Sequence, residues 1–186
     1  MSDEPDIRGL GGQSTMREVL EAFPGAQRAL FRRYHIGGCS SCGFQPEETV
    51  EELCARNNRL DVGEVLSHVA NSHEEDRRML VEPRQLSEWL ALVGEETRVL
   101  DIRSREEFGA ASIRGSVFLS QAVMQDVMGK WSRDGRVVIV DHLGKSVLDA
   151  AAYFVGHGFT RVHGLRGGID AWSVDVDPTV PRYRLG

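Results

Sequence analysis

Cysteine is scarce in this chain: Cys39, Cys42 and Cys54 are the only three in 186 residues. An odd and small count argues against a disulfide framework, so redox or metal chemistry is weighed for these side chains. Long apolar runs are missing as well. No stretch approaches the ~20 residues that a membrane helix needs, so no membrane partner is expected. Positive charge is not in excess, since 22 Lys and Arg stand against 28 Asp and Glu, a net charge of −6. That argues against the basic face of a nucleic-acid binder and against a polybasic membrane signal. The start, Met1-Ser2-Asp3-Glu4-Pro5-Asp6, is acidic and carries no apolar core of a secretory signal. The expected location is cytoplasmic.

Hydrophobic residues make up 41% of the chain, which supports packed cores, and the length suits one ordinary domain or two small ones. Residues 1–13 read as a flexible tail. Thr15 and Glu18 have the spacing of a capping box, and Met16, Val19, Leu20 and Phe23 form an apolar stripe behind it. Pro24-Gly25 interrupts the stripe. It resumes through Leu30, Phe31 and Tyr34 and stops at Gly37-Gly38, which leaves His35 near a helix C-terminus. Cys39-Ser40-Ser41-Cys42-Gly43 follows as a loop. Pro46 is placed to open the next helix, with Val50, Leu53 and Cys54 on one face. Asp61 with Glu64 signals another helix start. Residues 14–72 therefore read as a small all-α domain carrying a Cys-x-x-Cys pair, and the charged stretch 73–78 as a linker.

From residue 79 the pattern changes. Strands are expected at 79–81, 98–102, 116–119, 137–140 and 161–163, and helices at 83–93, 121–131, 146–156 and 168–173. Such alternation implies an α/β domain over 79–174, with a mainly parallel sheet flanked by helices. Residues 175–186, with two prolines, read as a C-terminal tail. The most informative stretch is 137–147. Val137-Val138-Ile139-Val140 suits a strand buried on both faces. The loop after it, Asp141-His142-Leu143-Gly144-Lys145-Ser146, lies before a helix N-terminus, where backbone amides favour an anion.

The second domain resembles the rhodanese family. The stretch from Gly158 to Trp172 fits that family's G-F-x-x-V-x-x-L-x-G-G-x-x-A-W pattern through Phe159, Val162, Leu165, Gly167, Gly168 and Ala171. Asp101-Ile102-Arg103, Glu107-Phe108 and Ile113-Arg114-Gly115 look like its earlier motif, with Ala111-Ser112 in place of Gly-His. The resemblance implies a rhodanese-like fold and a loop of the form C-x-x-G-x-R-S, whose cysteine carries sulfur as a persulfide. Aligned without a gap on Gly144, Asp141 falls at that cysteine, Ser146 at the arginine and Val147 at the serine. A carboxylate cannot accept sulfane sulfur, because persulfide chemistry needs a thiolate. The expectation is a domain that is not itself an active sulfurtransferase. Asp141 either fills the anion cradle in place of a persulfide, or simply ends the strand by accepting amide hydrogen bonds, with Ser146 and Asp149 capping the helix. A third role, as nucleophile or base helped by His142 and Lys145, is the weaker reading.

The first domain resembles the N-terminal domain of iron–sulfur-centre repair proteins. Phe23-Pro24-Gly25-Ala26, Tyr34-His35-Ile36-Gly37, Cys39, Cys42 and Thr49 to Cys54 carry that resemblance. It implies a link to iron–sulfur, metal or redox chemistry. From the residues alone, Cys39 and Cys42 can share a metal ion, form a redox pair or only pack. Cys54 and His35 are the sole nearby candidates to complete a metal site, and three thiolates leave an iron–sulfur centre short of its usual four unless chains dimerise. Three functions remain open at this stage: a non-catalytic regulator or adaptor linked to sulfur, iron–sulfur or metal handling, with protein partners from that chemistry; a sulfur-relay or thiol-redox enzyme using Cys39 and Cys42; and a structural module that assembles, or homodimerises, through its N-terminal helices.

Overall fold

The computed structural model describes residues 7–37, 43–92 and 96–183, so Cys39 and Cys42 lie outside the described residues. The chain divides into two compact units, Met1–Arg78 and Met79–Gly186.

The first unit is helical: α1 (Met16–Ala22), α2 (Ala26–Tyr34), α3 (Val50–Arg56) and α4 (Val62–Met79). Thr15 and Glu18 form the expected capping box at α1. Thr49 and Glu52 form a second one at α3, which begins at Val50 and not at Pro46. The reciprocal Thr–Glu bonds satisfy two amides at once, a stronger start signal than a proline alone. The two N-cap threonines pair with each other in one antiparallel bridge. Helix α2 ends earlier than its glycine pair suggests, because His35 itself adopts the left-handed cap conformation with φ 58°. Met16, Val19, Phe23, Leu30, Ile36, Leu53 and Leu66 form the core.

Two boundary expectations change here. Residues 73–78, expected as a linker, are the last turns of α4. Their charges are held on the helix surface by Arg28–Asp76 and Arg32–Glu75 ion pairs, while Ser72 is buried beneath them. Residues 7–13, expected as a free tail, pack on the bundle: Ile7 and Leu10 touch its core and the Glu51 amide donates to the Gly12 carbonyl at 2.9 Å.

The second unit holds β1 (Leu80–Val81), α5 (Pro83–Ala91), β2 (Thr97–Asp101), α6 (Arg105–Ala110), β3 (Val117–Phe118), α7 (Gln121–Lys130), β4 (Arg136–Val140), α8 (Val147–Gly156), β5 (Arg161–Leu165) and α9 (Gly168–Asp175). The five strands form one sheet in the order β1-β5-β4-β2-β3, and every pairing is parallel. Strand β4 is central, and its side chains alternate between two cores, as a period of two requires. Val138 and Val140 join Val81, Leu86, Val99 and Trp172 on one face. Val137 and Ile139 join Leu100, Val147, Phe154 and Phe159 on the other. The fold class is therefore a parallel sheet flanked by helices, preceded by a helical region.

Helix α6 has no counterpart in the sequence reading. It is six residues long, buries none of them, and starts from a Ser104–Glu107 capping box. Its lack of an apolar stripe removes the periodic signal by which longer helices are read. The segment after α9 is also not a loose tail. Val180 is buried in the core, and the Ser173 hydroxyl donates to its carbonyl at 2.6 Å.

Helix α9 locks onto the loop after β4. The Ile169 amide donates to the Asp141 carbonyl at 2.9 Å and the Asp170 amide to the His142 carbonyl at 3.1 Å. Gly168 permits this approach, since its φ is +61° and a β-carbon there would lie 2.5 Å from both of those carbonyl oxygens. Gly168→Ala is expected to destabilise the fold by roughly 2–4 kcal/mol, through backbone overlap added to left-handed strain. A denaturant titration measures this as a lower midpoint with an unchanged slope.

Candidate functional site

Central strand β4 ends where the sheet's connections diverge, with β2 on one side and β5 on the other. In parallel α/β sheets the crevice beyond such strand ends is the usual ligand site. Asp141 is the first residue past β4 and is buried. Its Oδ1 accepts a hydrogen bond from the Gly144 amide, and its Oδ2 accepts one from the Ser146 amide at 2.7 Å. Gly144 makes the turn possible: its φ is +77°, and a β-carbon there would come within 2.6 Å of the Gly167 nitrogen. Loop residues 141–146 thus curl around a negative charge that the chain itself supplies.

The other loop residues divide in two. Leu143, Lys145 and Ser146 are exposed. Ser146 occupies the N-cap of α8 but its side chain makes no cap hydrogen bond, so the expected hydroxyl capping is absent there. His142, by contrast, is buried. Its ring stacks on Tyr183 at 4.2 Å with an interplanar angle of 13°, and its Nδ1 is buried with no hydrogen-bond partner.

Strand β2 supplies the facing wall. Asp101 and Arg103 lie at its C-terminal end and form an ion pair at 2.6 Å, with side chains only 1% and 2% exposed. Arg103 also donates to the Ala111 carbonyl at 2.6 Å and to the Tyr183 hydroxyl at 2.7 Å. These contacts offset the desolvation of the buried guanidinium, which holds its proton more firmly than usual: burial works against the charge, and Asp101 and Tyr183 outweigh it. The Tyr183 hydroxyl in turn donates to Glu107 Oε1 at 2.7 Å, while Glu107 Oε2 accepts the Ser104 amide at 3.0 Å. Burial, then the bond to Glu107, pushes the Tyr183 phenol up. The same Tyr183 bond is the main cause holding the Glu107 carboxyl below its usual range. Arg182 beside it clasps Asp170 with bonds of 2.8 and 2.9 Å and lowers that carboxyl's pKa.

Loop 141–146, helix α6, the start of α9 and the C-terminal segment enclose a cleft of about 780 Å³. It brings together Asp141, His142, Leu143, Lys145 and Ser146 of the sequence-derived loop; Gly144 shapes the turn behind them. Nothing in the sequence marks Arg182 or Tyr183 as part of this cleft. Neither belongs to a periodic element, and the prolines around them gave the stretch the look of a tail. Arg103 and Glu107 appeared only as motif positions, with no hint of their shared partner.

The helical unit contributes less. Cys54 is a free thiol, 2% exposed on α3, and burial pushes its pKa up. It is held as a thiol, whereas a metal ligand or nucleophile requires a thiolate. His35 serves as the cap of α2, with its ring edge-on to Phe31. Among the described residues no group of three or more His, Cys, Asp or Glu is arranged to hold a metal ion. No helix among them is long and apolar enough to cross a membrane.

The sheet and its loop site define a class that comparison with known proteins also reaches. Residues 83–175 match the rhodanese-like domain, and the chain belongs to that family. It is 35% identical over 83 residues to the thiosulfate sulfurtransferase GlpE of Pseudomonas entomophila, a match spanning 45% of this chain and 76% of that protein. It is 22% identical over 178 residues to the adenylyltransferase and sulfurtransferase UBA4 of Lodderomyces elongisporus, covering 87% of this chain but only 38% of that protein. Among solved structures, a rhodanese-like domain protein from Staphylococcus aureus superposes with a TM-score of 0.46 at 17% identity, over 56% of this chain and 98% of that one.

The carboxylates around Tyr183 and Arg182 make the C-terminal contact acid-sensitive. Glu107 and Asp170 both titrate below their ordinary values of 4.5 and 3.8. A depressed carboxyl contributes stability that is complete above its ordinary pKa and is lost as pH falls through the lowered one. Hydrogen exchange at the amides of Arg182 and Tyr183 should therefore stay constant from about pH 7 to pH 5, once corrected for intrinsic rates, and accelerate below about pH 4.

Proposed function

We propose that this chain is a rhodanese-like binding or regulatory module in sulfur handling, with the sulfur-carrying position of its loop closed by a carboxylate. The hydrogen bonds from Gly144 and Ser146 to Asp141 carry this reading. The family's loop holds a persulfide at the place assigned to Asp141. A carboxylate oxygen offers no thiolate to take up sulfur, and the two amides that would hold a loop anion already donate to it. The names of the relatives, thiosulfate sulfurtransferase and adenylyltransferase and sulfurtransferase, support a setting in sulfur chemistry. Under this proposal the partner is a protein of sulfur or iron–sulfur handling. Any thiol chemistry of the chain resides at Cys39 and Cys42, since Cys54 is buried and protonated.

Thiocyanate formation from thiosulfate and cyanide tests the reading. The natural chain should stay at the background rate. Asp141→Cys should stay within about tenfold of it, because Ser146 and Val147 also depart from the family's loop, at the positions of its arginine and serine. Turnover by the natural chain would contradict the proposal.

A further inference from the structure

The C-terminal segment meets the cleft through two adjacent side chains and four receiving groups. Asp170 takes the Arg182 guanidinium side-on, through both carboxylate oxygens, the fork geometry that distinguishes arginine from lysine. One residue on, His142 lies flat against the Tyr183 ring, Arg103 donates to its hydroxyl, and Glu107 accepts from it. The hydroxyl is thus read as both acceptor and donor, which separates tyrosine from phenylalanine. Val180 is buried in the core and Tyr183 lies partly buried against the same cluster, so the pair reaches the cleft from a fixed point.

The fit is incomplete in one respect. His142 Nδ1 is buried without a hydrogen-bond partner, and the ring stacked on its face supplies none.

We propose that Asp170, His142, Glu107 and Arg103 form a recognition site for an arginine–tyrosine pair, filled in this structure by the chain's own Arg182 and Tyr183. A protein segment presenting arginine followed directly by unmodified tyrosine competes for the same site. The inference rests on the binding role proposed above and gives that role a partner chemistry. Self-occupancy then acts as a brake: a partner meets only the fraction of molecules whose own pair has let go, and its apparent affinity falls in proportion.

The full-length R182A/Y183A variant and a fluorescent hexapeptide of residues 181–186, Pro-Arg-Tyr-Arg-Leu-Gly, test this directly. The variant should bind the peptide at least about tenfold more tightly than the natural chain, which carries its own competitor. The same peptide phosphorylated on tyrosine should not bind, because its dianion meets the Glu107 carboxylate. Diethylpyrocarbonate should modify His142 faster in the variant, and added peptide should restore protection. Equal binding to both proteins overturns the proposal, and so does a folded variant that ignores the peptide. If the double variant loses cooperative unfolding, Tyr183→Phe carries the same comparison, since it keeps the ring and removes both hydroxyl contacts. Thiocyanate formation measured on the same samples reports the non-catalytic reading separately from peptide binding.

Discussion

The bonds between the Asp141 carboxylate and the amides of Gly144 and Ser146 fix the loop on which the rest of the site depends. With both oxygens engaged, the chain turns sharply at Gly144 and enters α8 without a side-chain cap. The same turn directs the carbonyls of Asp141 and His142 at the first amides of α9, and Gly168 lets the two backbones meet. Helix α9 then presents Asp170 at the rim of the cleft. Removing the charge would leave two amides aimed at one point beside a helix N-terminus, an arrangement that attracts an anion from solution.

A second buried charge pair supports the opposite wall. Asp101 and Arg103 are almost wholly removed from water, and such pairs persist only when their remaining donors and acceptors are satisfied. The Ala111 carbonyl and the Tyr183 hydroxyl complete that set. Tyr183 therefore joins three parts of the second unit: the end of β2 through Arg103, helix α6 through Glu107, and the β4 loop through His142. Its gains are a stacked ring pair worth about 0.5–1.5 kcal/mol and two hydrogen bonds of about 1 kcal/mol each. The Arg182–Asp170 pair is solvent-exposed on the arginine side and adds about 0–1 kcal/mol. Against these stands the unpaired His142 nitrogen, costing about 1–3 kcal/mol.

Much of the second unit is legible in the sequence. The run Val137 to Val140 announces a central strand because both faces are buried, and the glycines of 158–168 sit where the backbone needs them. What escapes is whatever lacks a period. Helix α6 buries nothing, and Tyr183 acts as a single side chain across a gap of about 80 residues to Arg103. Distance along the chain hides such pairings, and two prolines resemble a tail in any composition-based reading. In the first unit, the charge density of 73–78 suggested a linker, yet α4 continues through it because ion pairs to α2 keep those charges at the surface. The burial of His142 escapes for a similar reason: the ring stacked on it comes from a segment with no signal of its own.

Backbone amide resonances of Gly144 and Ser146, followed by nuclear magnetic resonance during a thiosulfate titration, test most directly whether the loop is filled by its own carboxylate. The natural protein should show no saturable shift at either amide, whereas Asp141→Ala should show both amides moving together as the anion enters the vacated cradle. Saturable shifts of both amides in the natural protein would contradict the account, since they would mean that the loop is open to a sulfur-bearing anion with Asp141 in place.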